Sequence, residues 1–287
     1  MSSKTFSILS YKNVEEIKSI VKSVGDCLLT ETSHDYSNRA GKTIAEASKL
    51  SSTNYNLKAI NNPAIALAEV VLAANRNYVK VVDPYIKEAQ IKFPFVKTFD
   101  DLIELMKEKN WEHFSDFWHH KDEKKYNTLK SILSVITKLR ENYSFPINDY
   151  ELMNDWAINA DVTKHSENPI GRIPNVAVAT FQHLRMVFGA NTVKPDQRVK
   201  EVLEYEFSTS KLSDINAVLA VEQIAKICTL TILEVDQIFV NYGSGYYNRT
   251  NNKITPKDIA KRLKEKNIDS ETIIYATGLT SYQISKI

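Results

Sequence analysis

The chain has 287 residues, 43% of them hydrophobic, and a formal net charge of +2. That length supports one large domain or two modest lobes, and that charge excludes a uniformly basic surface, so contact with a polyanion has to come from a local patch. Only seven residues are glycine, against an average usage of roughly 7%, which argues against a turn-rich β fold and for an all-α chain. In chain order, residues 11–30 place Val14, Ile17, Ile20, Val21, Val24, Leu28 and Leu29 at helical spacing. Residues 31–41 are polar and read as a loop, a second helix follows near 42–50, and 51–62 carry no clear period. Pro63 opens a helix that is apolar nearly all round and is therefore expected at the centre. Pro84 separates two helical patterns, and Thr98 with Asp101 three residues on marks another helix start.

Trp111, Phe114 and Phe117 are spaced as core aromatics, a basic helix spans about 122–142, and Asn148-Asp149 caps the next. Gly171, Gly189 and Gly243 fall at the ends of helical patterns, where glycine can take the left-handed conformation that closes a helix. A helix over 213–227 is capped by Ser213-Asp214; the β-branched stretch 229–233 reads as extended or a turn; and Val235 to Tyr242 reads as a helix stopped by Gly243 and Gly245. Asn248 to Asn252 reads as a linker, followed by short helices over 256–266, 269–276 and 280–286.

Cys27 and Cys228 are far apart, no Cys/His spacing supports a zinc site, and the start, Met1 to Phe6, lacks a long apolar core. No run of about 18 apolar residues occurs. A reduced, cytoplasmic protein without membrane association, metal or cofactor is expected.

The richest stretch is 171–203. Gly171-Arg172-Ile173-Pro174-Asn175-Val176-Ala177-Val178-Ala179-Thr180 is followed by a helical run closing on Phe188-Gly189, and then by Val193-Lys194-Pro195-Asp196-Gln197-Arg198-Val199. It reads as a tight hairpin between two helices, a short extended loop, and a carboxylate heading a third helix. Taken alone, Asp196 is an N-cap whose anion the helix N–H groups stabilise.

The order resembles the helix-hairpin-helix DNA glycosylases, the superfamily of endonuclease III and the adenine and alkyl-purine glycosylases. Their pattern is a Leu-Pro-Gly-Val-Gly type hairpin, a helix closing on Phe-Gly, and a Val-Asp at the head of the next helix. Three more stretches follow in family order: Leu72 to Tyr78 resembles the early helix with its Leu-Ser-Ala-Gln run, His119 to Asn127 the Gly-Leu-Tyr-Asn turn with its Lys-Ala, and Val235 to Gly243 the closing helix. The resemblance covers roughly 63–248.

It implies an all-α, two-lobed helix-hairpin-helix glycosylase fold with a cleft between the lobes and a short helical C-terminal appendage. Residues 1–62 would supply N-terminal helices to one lobe, 63–248 the glycosylase-like core with its hairpin near 171–180, and 249–287 a small helix-turn-helix-like tail. Asp196 would be the catalytic carboxylate. Asn175, Val176, Ala177, Ala179 and Thr180 would hold a DNA phosphate through backbone N–H groups. Asn75, Arg76, Tyr78, Trp118, His119, His120, Lys121 and Gln182 are base-pocket or wedge candidates. Against these stand plainer readings: Asn75, Arg76 and Tyr78 as the polar end of a buried helix, His119 and His120 as an ordinary turn, His183 and Met186 as core.

Three departures shape the expectation. Ala179 stands where bifunctional members have a lysine, so no lysine-dependent lyase step is expected. Asn175 and Ala177 replace the hairpin glycines; asparagine tolerates positive φ and alanine does not readily, so an altered hairpin is expected. No four cysteines follow the closing helix, so no iron–sulfur cluster is expected. The implied function is a monofunctional glycosylase that acts as a monomer on double-stranded DNA. Alternatives are a defence glycosylase against modified bases of invading DNA, or a non-catalytic DNA-binding protein on the same scaffold. The tail reads equally as a DNA reader, a packing appendage or a partner-docking piece.

Overall fold

The computed structural model describes residues 6–29, 41–246, 260–261, 263–264, 268–277 and 280–285. Among them every regular element is helical, apart from an isolated antiparallel bridge between Leu28 and Thr43. After a 3₁₀ turn at Ile8–Ser10, α1 (Val14–Asp26) and α2 (Ile44–Thr53) each begin on a reciprocal capping box, Asn13 with Glu16 and Thr43 with Glu46. α3 (Leu57–Asn61) leads to α4 (Pro63–Ala73), whose N-terminus is closed by the Asn62 side chain and by Pro63 in the first turn. A π-helical turn, Tyr78–Val82, runs into α5 (Asp83–Lys92). α6 (Phe99–Glu108) starts on the Thr98–Asp101 box read from the sequence, and α7 (Ser115–Trp118), α8 (Glu123–Arg140) and α9 (Asp149–Asn159) follow. Turns over 160–177 lead to α10 (Val178–Val187), after which Gly189 takes φ 96°. α11 (Gln197–Glu206), α12 (Asp214–Cys228) and α13 (Ile232–Tyr246) complete this part.

α4 is central because every side chain from Ala64 to Ala73 is buried. It packs against α3, α5, α6, α8 and α10, and the core so formed runs from Ala59 to Ala190 in the sequence, with Phe99, Phe114, Phe117, Trp118, Phe181 and Phe188 in it. Buried side chains of α1, α2, α11, α12 and α13, such as Ile17, Ile44, Val202, Ala220 and Phe239, lie outside that cluster. α1 packs on α2 and α12, α11 packs on α12, and the Phe207 and Phe239 rings meet at 5.7 Å. The chain thus leaves its first helices, builds a core from about 59 to 190, and returns to them.

Met1–Gly245 forms one compact unit and Tyr246–Ile287 another. In the second, α14 (Ser270–Thr277) and α15 (Ser281–Ser285) bury Ile273 and Ile284 with Ala260. The polar loop read over 31–41, apart from Gly41, the linker at 248–252, most of the helix expected over 256–266 and the junction at 278–279 lie outside the described residues.

Three local expectations change. Residues 51–62 are mostly helical, as the end of α2 and as α3. α13 begins at Ile232, three residues before the helix expected from Val235, so of the β-branched stretch 229–233 the last two residues are helix and Thr229 stays a turn, at φ 57°. It also runs on through Gly243, where an added Cβ would lie 3.2 Å from the Arg198 Cβ and carbonyl oxygen; glycine there permits close approach of α11 rather than stopping a helix. No helix among the described residues is long and apolar enough to cross a membrane.

Candidate functional site

Asp196 is the N-cap of α11. Its Oδ1 accepts the N–H groups of Arg198 at 2.9 Å and Val199 at 3.2 Å, and the residue is half-buried. The loop that carries it is splinted by α10. Gln182, fully buried, donates through Nε2 to Thr192 Oγ1 at 2.6 Å and to the Val193 carbonyl at 3.3 Å. Its own Oε1 accepts from Arg185 Nη1 at 2.8 Å, and Arg185 Nε donates to the Ala157 carbonyl of α9. Gln182, expected to line a base pocket, is therefore a scaffold residue with its polar atoms engaged.

A second carboxyl stands beside the loop. Asp236 of α13 is 1% exposed; its Oδ1 accepts the Lys194 N–H at 3.0 Å and its Oδ2 accepts from Gln237 Nε2 at 2.9 Å. Burial, and then the neighbouring Asp196 charge, push its pKa up to about 7. Around this pair lie further polar groups. Glu69 of α4 is ion-paired with Lys58 and accepts from Tyr78 Oη at 2.6 Å. His183 is held neutral well below its usual pKa by burial, then by Lys194 and Lys58. The Tyr55 phenol is pushed up by burial and by Asp236, Glu69 and Asp196. Of the early-helix candidates, Tyr78 is the one bonded to Glu69, while Tyr55 senses the charges of Asp236, Glu69 and Asp196 together. Sequence reasoning missed Glu69 and Asp236. Glu69 had a signal, as the single charged residue of the apolar run Pro63–Ala73.

A separate cavity of about 180 Å³ joins the other early-helix candidates to the hairpin: Asn75, Arg76, Lys124, Lys125, Asn175 and Thr180 all line it. Lys125 closes the end of α4, its Nζ donating to the carbonyls of Val71 at 2.9 Å, Leu72 at 3.1 Å and Ala74 at 2.6 Å. Burial, then Arg76, lower its pKa to about 8. Asn175 takes φ 70°, whereas Ala177 sits at φ −74°, ψ 169°. The alanine therefore adopts ordinary extended backbone, and the expected penalty at that position is absent. Ala177 heads α10 with no side-chain cap, which leaves the N–H groups of Val178, Ala179 and Thr180 as the donors of a helix N-terminus. Val176 does not belong with them: its N–H donates to the Ile173 carbonyl at 3.0 Å, and it is 3% exposed.

Trp118 is core rather than wedge. It is fully buried, its ring lies 4.9 Å from Phe114, and its Nε1 donates to the His120 carbonyl at 2.8 Å. His119, at φ 50°, pairs with Glu88 at 2.9 Å and lies 5.5 Å from the Tyr85 ring. His120 lies 2.9 Å from Arg76 and 3.5 Å from Asp122; burial, then Arg76, lower its pKa. Lys121 is exposed. Among the described residues no three His, Cys, Asp or Glu side chains are grouped as metal ligands.

Comparison of the chain with protein-family models, curated proteins and solved structures returned no match.

Proposed function

We propose that the chain is a monofunctional DNA glycosylase that hydrolyses the N-glycosidic bond of a damaged or modified base flipped out of duplex DNA. The observation that carries this reading is the placement of Asp196: a half-buried N-cap carboxylate on a splinted loop, following the hairpin and α10, beside a second buried carboxyl. Breaking an N-glycosidic bond develops positive charge on the sugar. A fixed carboxylate stabilises that charge, and the target base must leave the stack to reach it. Two further features support the reading. Asp196 lies just where the chain leaves the core of 59–190 and rejoins its first helices. The uncapped head of α10 and the Arg76 and Lys124 side chains around the adjacent cavity supply donors and positive charge for phosphates.

The test is incubation with a panel of duplexes carrying lesions and modified bases, followed by alkali. Abasic sites at one class of base are expected; duplex binding without release from any of them leaves the non-catalytic scaffold. Because Ala179 carries no amine, borohydride should trap no covalent enzyme–DNA adduct, and strands should break only after alkali. Efficient trapping would assign a lyase step to another lysine, with Lys194 the first to examine.

Phosphate anchoring has its own test. Val178 is the first residue of α10 and Ala177 before it is extended, so Val178→Pro suits the local backbone and removes one free N–H. Duplex affinity should fall several-fold, equally for every base, with preference among bases unchanged, since phosphates position and base contacts specify. A folded variant that binds like the parent would show that α10 is not the anchor.

A further inference from the structure

We propose that Asp236 is a positioning residue for Asp196: the two carboxyls form a one-proton pair in which buried Asp236 stays neutral, tethers the loop and leaves Asp196 as the anion. The catalytic part of this proposal rests on the glycosylase reading; the pairing does not.

The geometry divides the roles. Asp236 accepts the Lys194 N–H at 3.0 Å, and the Lys194 carbonyl accepts the Asp196 N–H at 2.7 Å. Asp236 thus reaches Asp196 through a single intervening residue held from both sides. Desolvation falls unequally, since Asp236 is 1% exposed and Asp196 half-buried. The supporting bonds are unequal too. Asp196 has two N–H groups at a helix N-terminus, which favour its anion. Asp236 has one backbone N–H and a neutral amide. Two nearby carboxyls in a desolvated site do not both ionise cheaply, so the proton goes to the worse-solvated one.

The groups facing Asp236 are few. Lys194 and Asp196 approach from the loop, and the Lys194 charge opposes the effect of Asp196. Tyr55, from the segment between α2 and α3, is coupled to Asp236 and, through a raised pKa of its own, stays neutral. Gln237 on the same helix is uncharged. Burial and Asp196 together place the Asp236 titration at about 7. Above it a second negative charge appears beside Asp196, and the repulsion between the two carboxylates disturbs the placement of Asp196.

Two measurements decide the proposal. In full-length protein labelled with ¹³C at aspartate carboxyls, the Asp236 signal should titrate near neutrality in the parent and at lower pH in Asp196→Asn. Titration of Asp236 in the ordinary carboxylate range, or at the same pH in both proteins, overturns the pair. The second is the pH profile of base release on a duplex found by the lesion panel. The parent rate should fall several-fold between pH 6 and 8.5, while Asp236→Asn, which keeps an acceptor but cannot ionise, should be flat over that range whatever its absolute rate. A variant profile with the parent's shape overturns the positioning role. If no duplex on the panel releases a base, the positioning role falls with the glycosylase reading, and the carboxyl titration still decides the pair.

Discussion

Asp196→Asn should lower base release by about 10³-fold or more, with folding and duplex affinity close to the parent's. Removing one preorganised electrostatic group from a reacting centre costs on the order of 10²–10³ in rate. A full charge facing an oxocarbenium-like sugar belongs at or beyond the top of that range, roughly 4 kcal/mol of transition-state stabilisation. The substitution is clean because asparagine caps a helix about as well as aspartate, and its side-chain oxygen can still accept from the Arg198 and Val199 N–H groups that Oδ1 accepts from now. Single-turnover release under saturating enzyme, with a thermal melt and a binding isotherm alongside, separates chemistry from folding. Release at the parent's rate would remove Asp196 from the mechanism and reduce it to a cap.

Trp118→Ala should cost about 3–5 kcal/mol of stability, the usual toll of deleting a large aromatic from a core. Trp118 is fully buried and packs edge-on against Phe114, which in turn touches Phe117 and Tyr126. Its loss also leaves the His120 carbonyl without the indole donor. Denaturant unfolding should show a lower midpoint with little change in slope. An exposed wedge would behave in the opposite way, losing DNA distortion while keeping its midpoint, so a parent-like midpoint would refute the core assignment.

What could be read from the sequence was local. The Thr98–Asp101 box, the Asn148 and Ser213 caps and the capping role of Asp196 each depend on residues two or three apart, and the apolar run after Pro63 announced its central place. What could not be read depends on separation. Asp236 meets the Lys194 N–H across 42 positions, and nothing near it in the sequence marks it as buried. Gly243 looked like a helix stop because its reason, the backbone of Arg198 in α11, is 45 residues away in the chain. Trp118 looked available because a turn with two histidines follows it, whereas its ring packs on Phe114, which also meets Tyr126 from beyond that turn. Glu69 was the exception, a lone charge in an apolar helix and so legible in principle.

The bond that joins the first turn to α12 bears on how the chain is made. The Ile8 N–H donates to Gln223 Oε1 at 2.8 Å across 215 positions, and Gln223 Nε2 returns a bond to the Phe6 carbonyl at 3.1 Å. Translation at roughly 5–20 residues per second separates the synthesis of these two partners by about ten to forty seconds. Throughout that interval the apolar stripe of α1, with Ile17, Val21 and Val24, can meet α2 but not α12. The middle core, from 59 to 190, can be assembled from contiguous chain in the meantime. Closure of the first helices is thus a late event with a large loop-closure cost, and the nascent α1 is the stretch on which a chaperone would act longest.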